Sequence, residues 1–334
     1  MIGIFYGTRP EYIKLLPVAT ALRKRGIEFV LFQVQQHTNL IEGCEWDRKI
    51  VVSSHSNNRL NDICISIMMD ELKDITSVLV QGDTTTATAV ALSAFNRRIP
   101  VRHVEAGLRT YDRDNPFPEE INRRIISSLA TTHYCPTERD KQHLINEGFH
   151  SDDILVTGNT VIDNLLGRFP TKTNKILITM HRRENHANLH DWFREIENLA
   201  EKHRDYEFIF PMHPNPKVQQ HRGIFKNVRV VDPVDHETML ELISSCHSII
   251  TDSGGIQEEA AFFGKPCFVC RKVTERPCDD QYLCVSPEKL RYFSNLIEMG
   301  SMIYVPGRTN YPTLFYGDGT AGDQIAEDIQ QRIR

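Results

Sequence analysis

The chain has 334 residues, 40% of them apolar, and a formal net charge of −5. That length suits two domains better than one, and the apolar share is enough to build a core in each. A mildly acidic balance with no long basic run argues against nucleic acid as a main partner, and no stretch of about 18 apolar residues could cross a membrane. Eight cysteines are scattered without a framework spacing, which fits free thiols in a reducing cytoplasm. The N-terminal "MIGIFYGTRPEY" lacks the charged start and apolar core of a signal peptide, and it reads as a first strand.

From that strand the chain alternates short apolar runs with amphipathic ones. "IGIF" leads into "GTRPEYIKLLPVATALRKRG", where Pro17 predicts a kink or a helix start nearby. "FVLFQV" precedes "QQHTNLIEG", "SVLVQ" precedes "GDTTTATAVALSAFNRRI", and "VRHVE" precedes "AGLRTYD"; "HYCPTERDKQHLINEG" and "ILVTGN" follow. Continuous apolar runs of this length predict buried parallel strands in a β-α-β-α rhythm. The polar segment "GRFPTKTNK" (Gly167 to Lys175) reads as a linker, and the rhythm then restarts with "KILITM", "EFIFPM", "VRVVD", "SIITD" and "PCFVCR". The prediction is an α/β protein in two halves, residues 1–166 and 167–321.

In open parallel sheets, ligands lie beyond the carboxyl ends of the strands. That places Gly7 to Arg9, Asp83, Glu105, His181, His213 and Asp252 to Gly255 in the crevices. In "TDSGGIQEEAAFFGKP" a strand ends at Asp252, and Ser253, Gly254 and Gly255 open a helix. Its free N–H groups suit a phosphate or diphosphate, and Glu258 or Glu259 could take a ribose hydroxyl pair. The alternative is a serine N-cap on an ordinary βα turn. Arg9 and Lys14 in "GTRPEYIK" are suited to phosphate or are solvated cations. Asp83 caps a helix or faces a ligand. Glu119 and Glu120 face a ligand or simply open a helix, whereas Glu105 at a strand end is harder to assign to structure. "HRREN" after "KILIT" and His213 in "PMHPNP" could meet an anion or be polar loops. "GDGTAG" (Gly317 to Gly322) fits a dinucleotide-binding pattern only on paper, because no strand precedes it. "CFVC" (Cys267 to Cys270) lies in an apolar run and reads as core cysteines rather than a metal or redox pair.

Taken together, "GTRPEYIKLLPV", "QGDTTT", "VEAGLRT", "PFPEEINRR", "HRREN", "DSGGIQEEA", "GKP", "TERP" and "YGDGTA" resemble the bacterial-type UDP-N-acetylglucosamine 2-epimerases, in the family's order and over nearly the whole chain. The resemblance implies a GT-B-type fold: two Rossmann-like domains, the second binding UDP, with the active site in the interdomain cleft. It also implies a C-terminal helix, about 322–334, packing back on the first domain. It assigns Asp83, Glu105 and Glu119 as catalytic carboxylates and His181 as an essential histidine. Arg9, Lys14, His213, Ser253, Gly254, Gly255 and Glu259 become substrate contacts. The implied reaction expels UDP from UDP-GlcNAc to leave 2-acetamidoglucal, then adds UDP back with a proton on the other face of C2, giving UDP-ManNAc. No redox cofactor or metal is implied; a UDP-sugar substrate and a homodimer are, and the cytoplasmic location rests on the cysteines.

The sequence departs from the family at three places. Gln36 and His37, in the region of a second, activating substrate site, lack the Gly and Arg that accompany them in the family. Cys278 replaces the usual Glu after "TERP", and Met239 falls where an aromatic ring often covers uracil. The competing expectations are a hydrolysing relative that releases ManNAc and UDP, an epimerase of a modified UDP-sugar, a GT-B glycosyltransferase and a silent nucleotide-sugar binding protein.

Overall fold

A computed structural model of the chain describes residues 1–35, 43–52, 58–68, 72–276, 281–298 and 314–333. The segment "QHTNL", with Gln36 and His37, lies outside them, as does Cys278. The chain divides into two units, residues 1–166 with 316–334, and residues 167–315.

The first unit is built on seven strands: β1 (Ile2–Tyr6), β2 (Phe29–Gln35), β3 (Arg48–Val51), β4 (Ser77–Gln81), β5 (Val101–Val104), β6 (Thr132–Cys135) and β7 (Ile154–Val156). All pair in parallel, in the order β3-β2-β1-β4-β5-β6-β7. Helices α1 (Arg9–Lys24), α2 (Arg59–Met68), α3 (Thr85–Asn96), α4 (Glu119–Leu129) and α5 (Glu138–Asn146) connect them. Helices cover both faces of the parallel sheet, which is why the strand sequences are apolar throughout instead of alternating. In β1, Phe5 packs with Phe32, Val78 and Val80 against Ile63, Ile67, Ala87 and Ala91. Ile4 and Tyr6 point the other way, into Leu15, Val18 and Leu22 of α1 and Ile325, Ala326 and Ile329 of the C-terminal helix. Each fully buried Val, Leu, Ile or Phe side chain among these contributes roughly 1.5–3 kcal/mol.

Pro17 neither starts nor ends α1; the helix runs through it. A proline there removes the N–H that would bond the carbonyl of Ile13. The side-chain amide of Asn164 donates to that carbonyl instead, at 3.0 Å. The chain returns to the first unit at Tyr316, whose carbonyl accepts the N–H of Asn159 at 2.7 Å. The glycines of "GDGTAG" serve close packing: a Cβ on Gly317 would lie 2.8 Å from Cα of Gly158, and one on Gly322 would lie 2.8 Å from the Pro17 backbone.

The second unit carries β8 (Lys175–Thr179), β9 (Glu207–Pro211), β10 (Arg229–Val231), β11 (Ser248–Thr251), β12 (Cys267–Val269) and β13 (Gln281–Leu283), parallel in the order β10-β9-β8-β11-β12-β13. Its helices are α6 (Leu189–Lys202), α7 (Pro216–Gln219), α8 (His236–Ser245), α9 (Gly254–Phe262) and α10 (Arg291–Glu298). One face of the sheet, Ile176, Ile178, Phe208 and Phe210, packs on Trp192, Phe193 and Ile196 of α6. Cys267 and Cys270 are fully buried and free, as core residues of and beside β12. The last helix, α11 (Ala321–Arg332), belongs to the first unit; its Asp328 accepts the Tyr134 hydroxyl at 2.8 Å, and Asp323 pairs with Arg25 at 2.9 Å. Strands β3 and β13 and helix α2 are absent from the apolar-run reading because they are short or interrupted. No described helix is long and apolar enough to cross a membrane.

Candidate functional site

Each sheet reverses its winding at one point, between β1 and β4 in the first unit and between β8 and β11 in the second. Such switch points leave a crevice at the carboxyl edge. The candidate residues of each unit gather there, and they are described unit by unit.

In the first unit, register puts Gly7, Gly82 and Glu105 at one edge, just beyond β1, β4 and β5. Glu105 is buried and has φ +66°, a left-handed conformation that is rare for a residue with a side chain. Lys14, one turn into α1, donates to Glu105 Oε1 at 2.7 Å, and Asn159 Nδ2 donates to the same oxygen at 3.2 Å. The Gln81 amide donates to Oε2. A carboxylate surrounded by a cation and two amides has its orientation defined before any ligand arrives.

Asp83 begins the turn into α3, and Thr84 rather than Asp83 is the N-cap: its hydroxyl accepts the Ala87 N–H at 3.0 Å. Capping is therefore not the task of Asp83. Its carboxylate takes Arg123 Nε at 3.1 Å, and its carbonyl takes the Asn122 amide at 2.9 Å. Arg123 and Asn122 lie on α4, which Glu119 and Glu120 open. The two acids separate in role. Glu120 is fully buried and accepts the backbone N–H groups of Thr110 and Tyr111 at 3.0 and 3.1 Å, so it holds the preceding loop. Glu119 is only partly buried at the helix start, where the dipole favours a negative charge. Arg9 is exposed at the first position of α1.

One acid of this edge was not singled out in the sequence. Glu11 is 2% exposed, and burial pushes its carboxyl up to about 7, against hydrogen bonds from Thr84, Thr8 and Gly7. His103 in β5, fully buried, sits 2.7 Å from the Gly82 carbonyl, and burial takes its pKa down to about 4. It is therefore a neutral donor to the turn that carries Asp83.

In the second unit, Asp252 is fully buried and not a ligand-facing acid. Its carboxylate accepts the backbone N–H groups of His181 and Arg182 at 3.0 and 2.9 Å and the Asn185 amide at 3.0 Å. It therefore builds the "HRREN" turn. His181 stacks on His213, ring centroids 5.0 Å apart and 11° from parallel. Burial lowers the pKa of His181, with Asp252 opposing and Arg182 and His213 reinforcing, so the ring is neutral at pH 7.

Ser253 is the N-cap residue of α9, and its hydroxyl makes no capping bond there. A Cβ on Gly254 would lie 2.6 Å from the Arg276 guanidinium, whereas one on Gly255 would meet no described atom within 4 Å. A side chain at Gly254 would therefore have to displace the Arg276 guanidinium, whereas Gly255 borders open space among the described residues at the first turn of α9. Glu258 is fully buried and pairs with Arg276 Nε at 2.8 Å. Arg276 in turn meets Glu275, which pairs with Arg271 at 3.0 Å. Glu259, its neighbour on α9, is also buried, at 6% exposure. Met239 lies partly buried on α8. Among the described residues no group of three or more His, Cys, Asp or Glu is arranged to hold a metal ion.

Sequence reasoning missed Glu11, Gln81, Asn159, Arg123 and Arg276. Gln81 and Asn159 end or follow strands and could have been found by the same rule as Asp83. Glu11, Arg123 and Arg276 could not, because each looks like an ordinary helix or loop charge until its partner is known.

The family model for UDP-N-acetylglucosamine 2-epimerase matches residues 49–330. A UDP-N-acetylglucosamine 2-epimerase of Neisseria meningitidis serogroup A is 39% identical, with 81% of this chain and 82% of that one covered. Among solved structures, UDP-GlcNAc 2-epimerase from Neisseria meningitidis bound to UDP-GlcNAc matches with a TM-score of 0.88 at 36% identity over 99% of each chain. That of Methanocaldococcus jannaschii in complex with UDP-GlcNAc and UDP matches with a TM-score of 0.84 at 30% identity, again over 99% of each. With two parallel α/β sheets of GT-B type and these matches along nearly its whole length, the chain belongs to the UDP-N-acetylglucosamine 2-epimerase family.

Proposed function

We propose that this protein interconverts UDP-GlcNAc and UDP-ManNAc. The observation that carries the reading is the edge of the first unit, where Glu105 and Asp83 stand on adjacent strand ends, each oriented by its own cation, Lys14 and Arg123. The C2 proton of the sugar is not adjacent to a carbonyl, so its removal has to be coupled to loss of a good leaving group. Breaking C2–H and the C1–O bond to the diphosphate yields 2-acetamidoglucal, UDP and one proton on the protein. Re-addition forms C1–O again and places a proton on the opposite face of C2. The sequence is redox-neutral. It needs proton-transfer groups on both ring faces, which Asp83, Glu105 and Glu119 supply between them. Positioned acids and bases of this kind contribute about 10²–10⁴-fold each.

The residues of the second unit take the UDP end. The N–H groups at the start of α9 and the Ser253 hydroxyl receive the diphosphate, Glu259 the ribose, and neutral His181 with His213 donate hydrogen bonds to the departing oxygen. Arg9 adds charge at the phosphates. We further propose a homodimer acting in the cytoplasm. The compartment reading is supported by seven described cysteines that are all free; light scattering that reports a monomer would correct the oligomeric state.

The test is proton NMR of UDP-GlcNAc with the protein in D2O and no added cofactor. UDP-ManNAc, with deuterium at C2 of both epimers, is the expected result. Free ManNAc with UDP would move the protein to hydrolysing chemistry, and an unchanged spectrum would overturn the assignment.

A further inference from the structure

We infer that Glu11 is a positioning residue for this reaction, tying the turn that carries Asp83 to the helix that carries Arg9 and Lys14. The inference rests on the epimerase reading above. Glu11 Oε2 accepts the Gly7 N–H at 3.0 Å and the Thr8 hydroxyl at 2.8 Å, and Oε1 accepts the Thr84 hydroxyl at 2.6 Å. Thr8 and Thr84 are the N-caps of α1 and α3. One buried carboxyl thus joins the caps of the two helices that flank the switch point between β1 and β4. Asp83 directly precedes Thr84, and Lys14 lies three residues beyond Glu11 on α1, reaching Glu105 at 2.7 Å.

The second unit solves the same problem with the same device. There Asp252, after β11, crosses the switch point to the backbone N–H groups of His181 and Arg182 after β8. In each unit a buried acid spans the two turns that bear the candidate groups. A crevice between two helix starts has no ladder hydrogen bonds to hold it, so its width depends on such cross-ties. The tie does not require a charge. A protonated carboxyl, or an amide of the same shape, can accept from Gly7 and Thr8 on one atom and donate to Thr84 on the other, since a threonine oxygen has lone pairs for both this donor and the Ala87 N–H. Burial that takes the Glu11 carboxyl to about 7 is consistent with a group that holds position in either protonation state.

The experiment compares Glu11→Ala, Glu11→Gln, Thr84→Val and Thr84→Ser with the wild type, as the intact chain. Readouts are kcat and KM for UDP-GlcNAc, UDP affinity by calorimetry, and hydrogen exchange of the 82–87 segment by mass spectrometry. Glu11→Ala is expected to lower kcat by at least about tenfold, because misplacement of reacting groups by about 1 Å can cost 10²-fold. UDP affinity should stay within about threefold, and the 82–87 amides should exchange faster. Glu11→Gln and Thr84→Ser should restore most of kcat and the exchange protection. The double variant Glu11→Ala/Thr84→Val should lose less than the product of the two single losses, because both variants cut the same Glu11–Thr84 bond.

Multiplicative losses in the double variant, a Glu11→Gln defect as deep as that of Glu11→Ala, or unchanged kcat in Glu11→Ala would each overturn the inference. Hydrogen exchange separates this from failure of the epimerase reading. If the wild type does not epimerise, the reading falls, but loosening of 82–87 in Glu11→Ala alone still supports the tie, and its absence still refutes it.

Discussion

Glu11→Gln also changes how the stability of the first unit depends on pH, and the structure supplies the size of the effect. Burial raises the Glu11 carboxyl from 4.5 to about 7, so the native protein binds this proton more tightly than the unfolded chain does. Its stabilising contribution is complete below about 4.5 and is lost as pH rises through about 7. The whole span amounts to about 3 kcal/mol, of which about 2 kcal/mol falls between pH 5.5 and 8.5. Buried His103 and His133, held down at about 4 and about 3, act with the opposite sign and lose stability as pH falls. Those terms are common to wild type and variant and cancel in the difference between them. Each unit holds one tryptophan, Trp46 in the first and Trp192 in the second, so a Trp192→Phe background isolates the first unit in urea unfolding. Relative to Glu11→Gln, the wild type should lose about 2 kcal/mol from pH 5.5 to 8.5. A difference that stays flat to within about 0.5 kcal/mol would show that Glu11 does not titrate in this range, and the burial argument would fail.

Glu105→Gln and Asp83→Asn should each lower turnover at least about 100-fold while UDP affinity is retained, and near-normal turnover in the NMR assay would remove their proposed roles. Gly255→Ala meets no described atom, so its melting temperature should hold or rise while UDP affinity measured by calorimetry falls at least about tenfold; unchanged affinity would place the diphosphate elsewhere. Arg276→Met removes the cation shared by Glu258 and Glu275 and should destabilise the second unit by about 3–5 kcal/mol, read through Trp192 fluorescence.

The strand-ending rule located Asp83, Glu105, His181, His213 and the Ser253–Gly255 turn without any structure. It works because a parallel sheet with helical crossovers sends every strand end to one edge, whatever the side chains do there. The same rule could not tell Asp252, buried under the "HRREN" turn, from Asp83, which borders the edge beside Arg123. Nor could it choose between Glu119 and Glu120, because adjacent helical residues differ by about 100° in direction and local sequence does not say which face meets a partner.

By itself, then, the sequence determined the two α/β halves, the edge where chemistry would gather and the family to which those motifs belong. Apolar runs and turn residues act locally, through burial and backbone sterics. The tertiary structure alone decided the pairings: Glu11 with Thr84 across 73 residues, Lys14 with Glu105 across 91, Asp83 with Arg123 across 40, and Asn164 with the carbonyl that Pro17 leaves open. Those contacts depend on strand order and helix rotation, which no local pattern encodes, and they turn a row of polar residues into a site with fixed geometry.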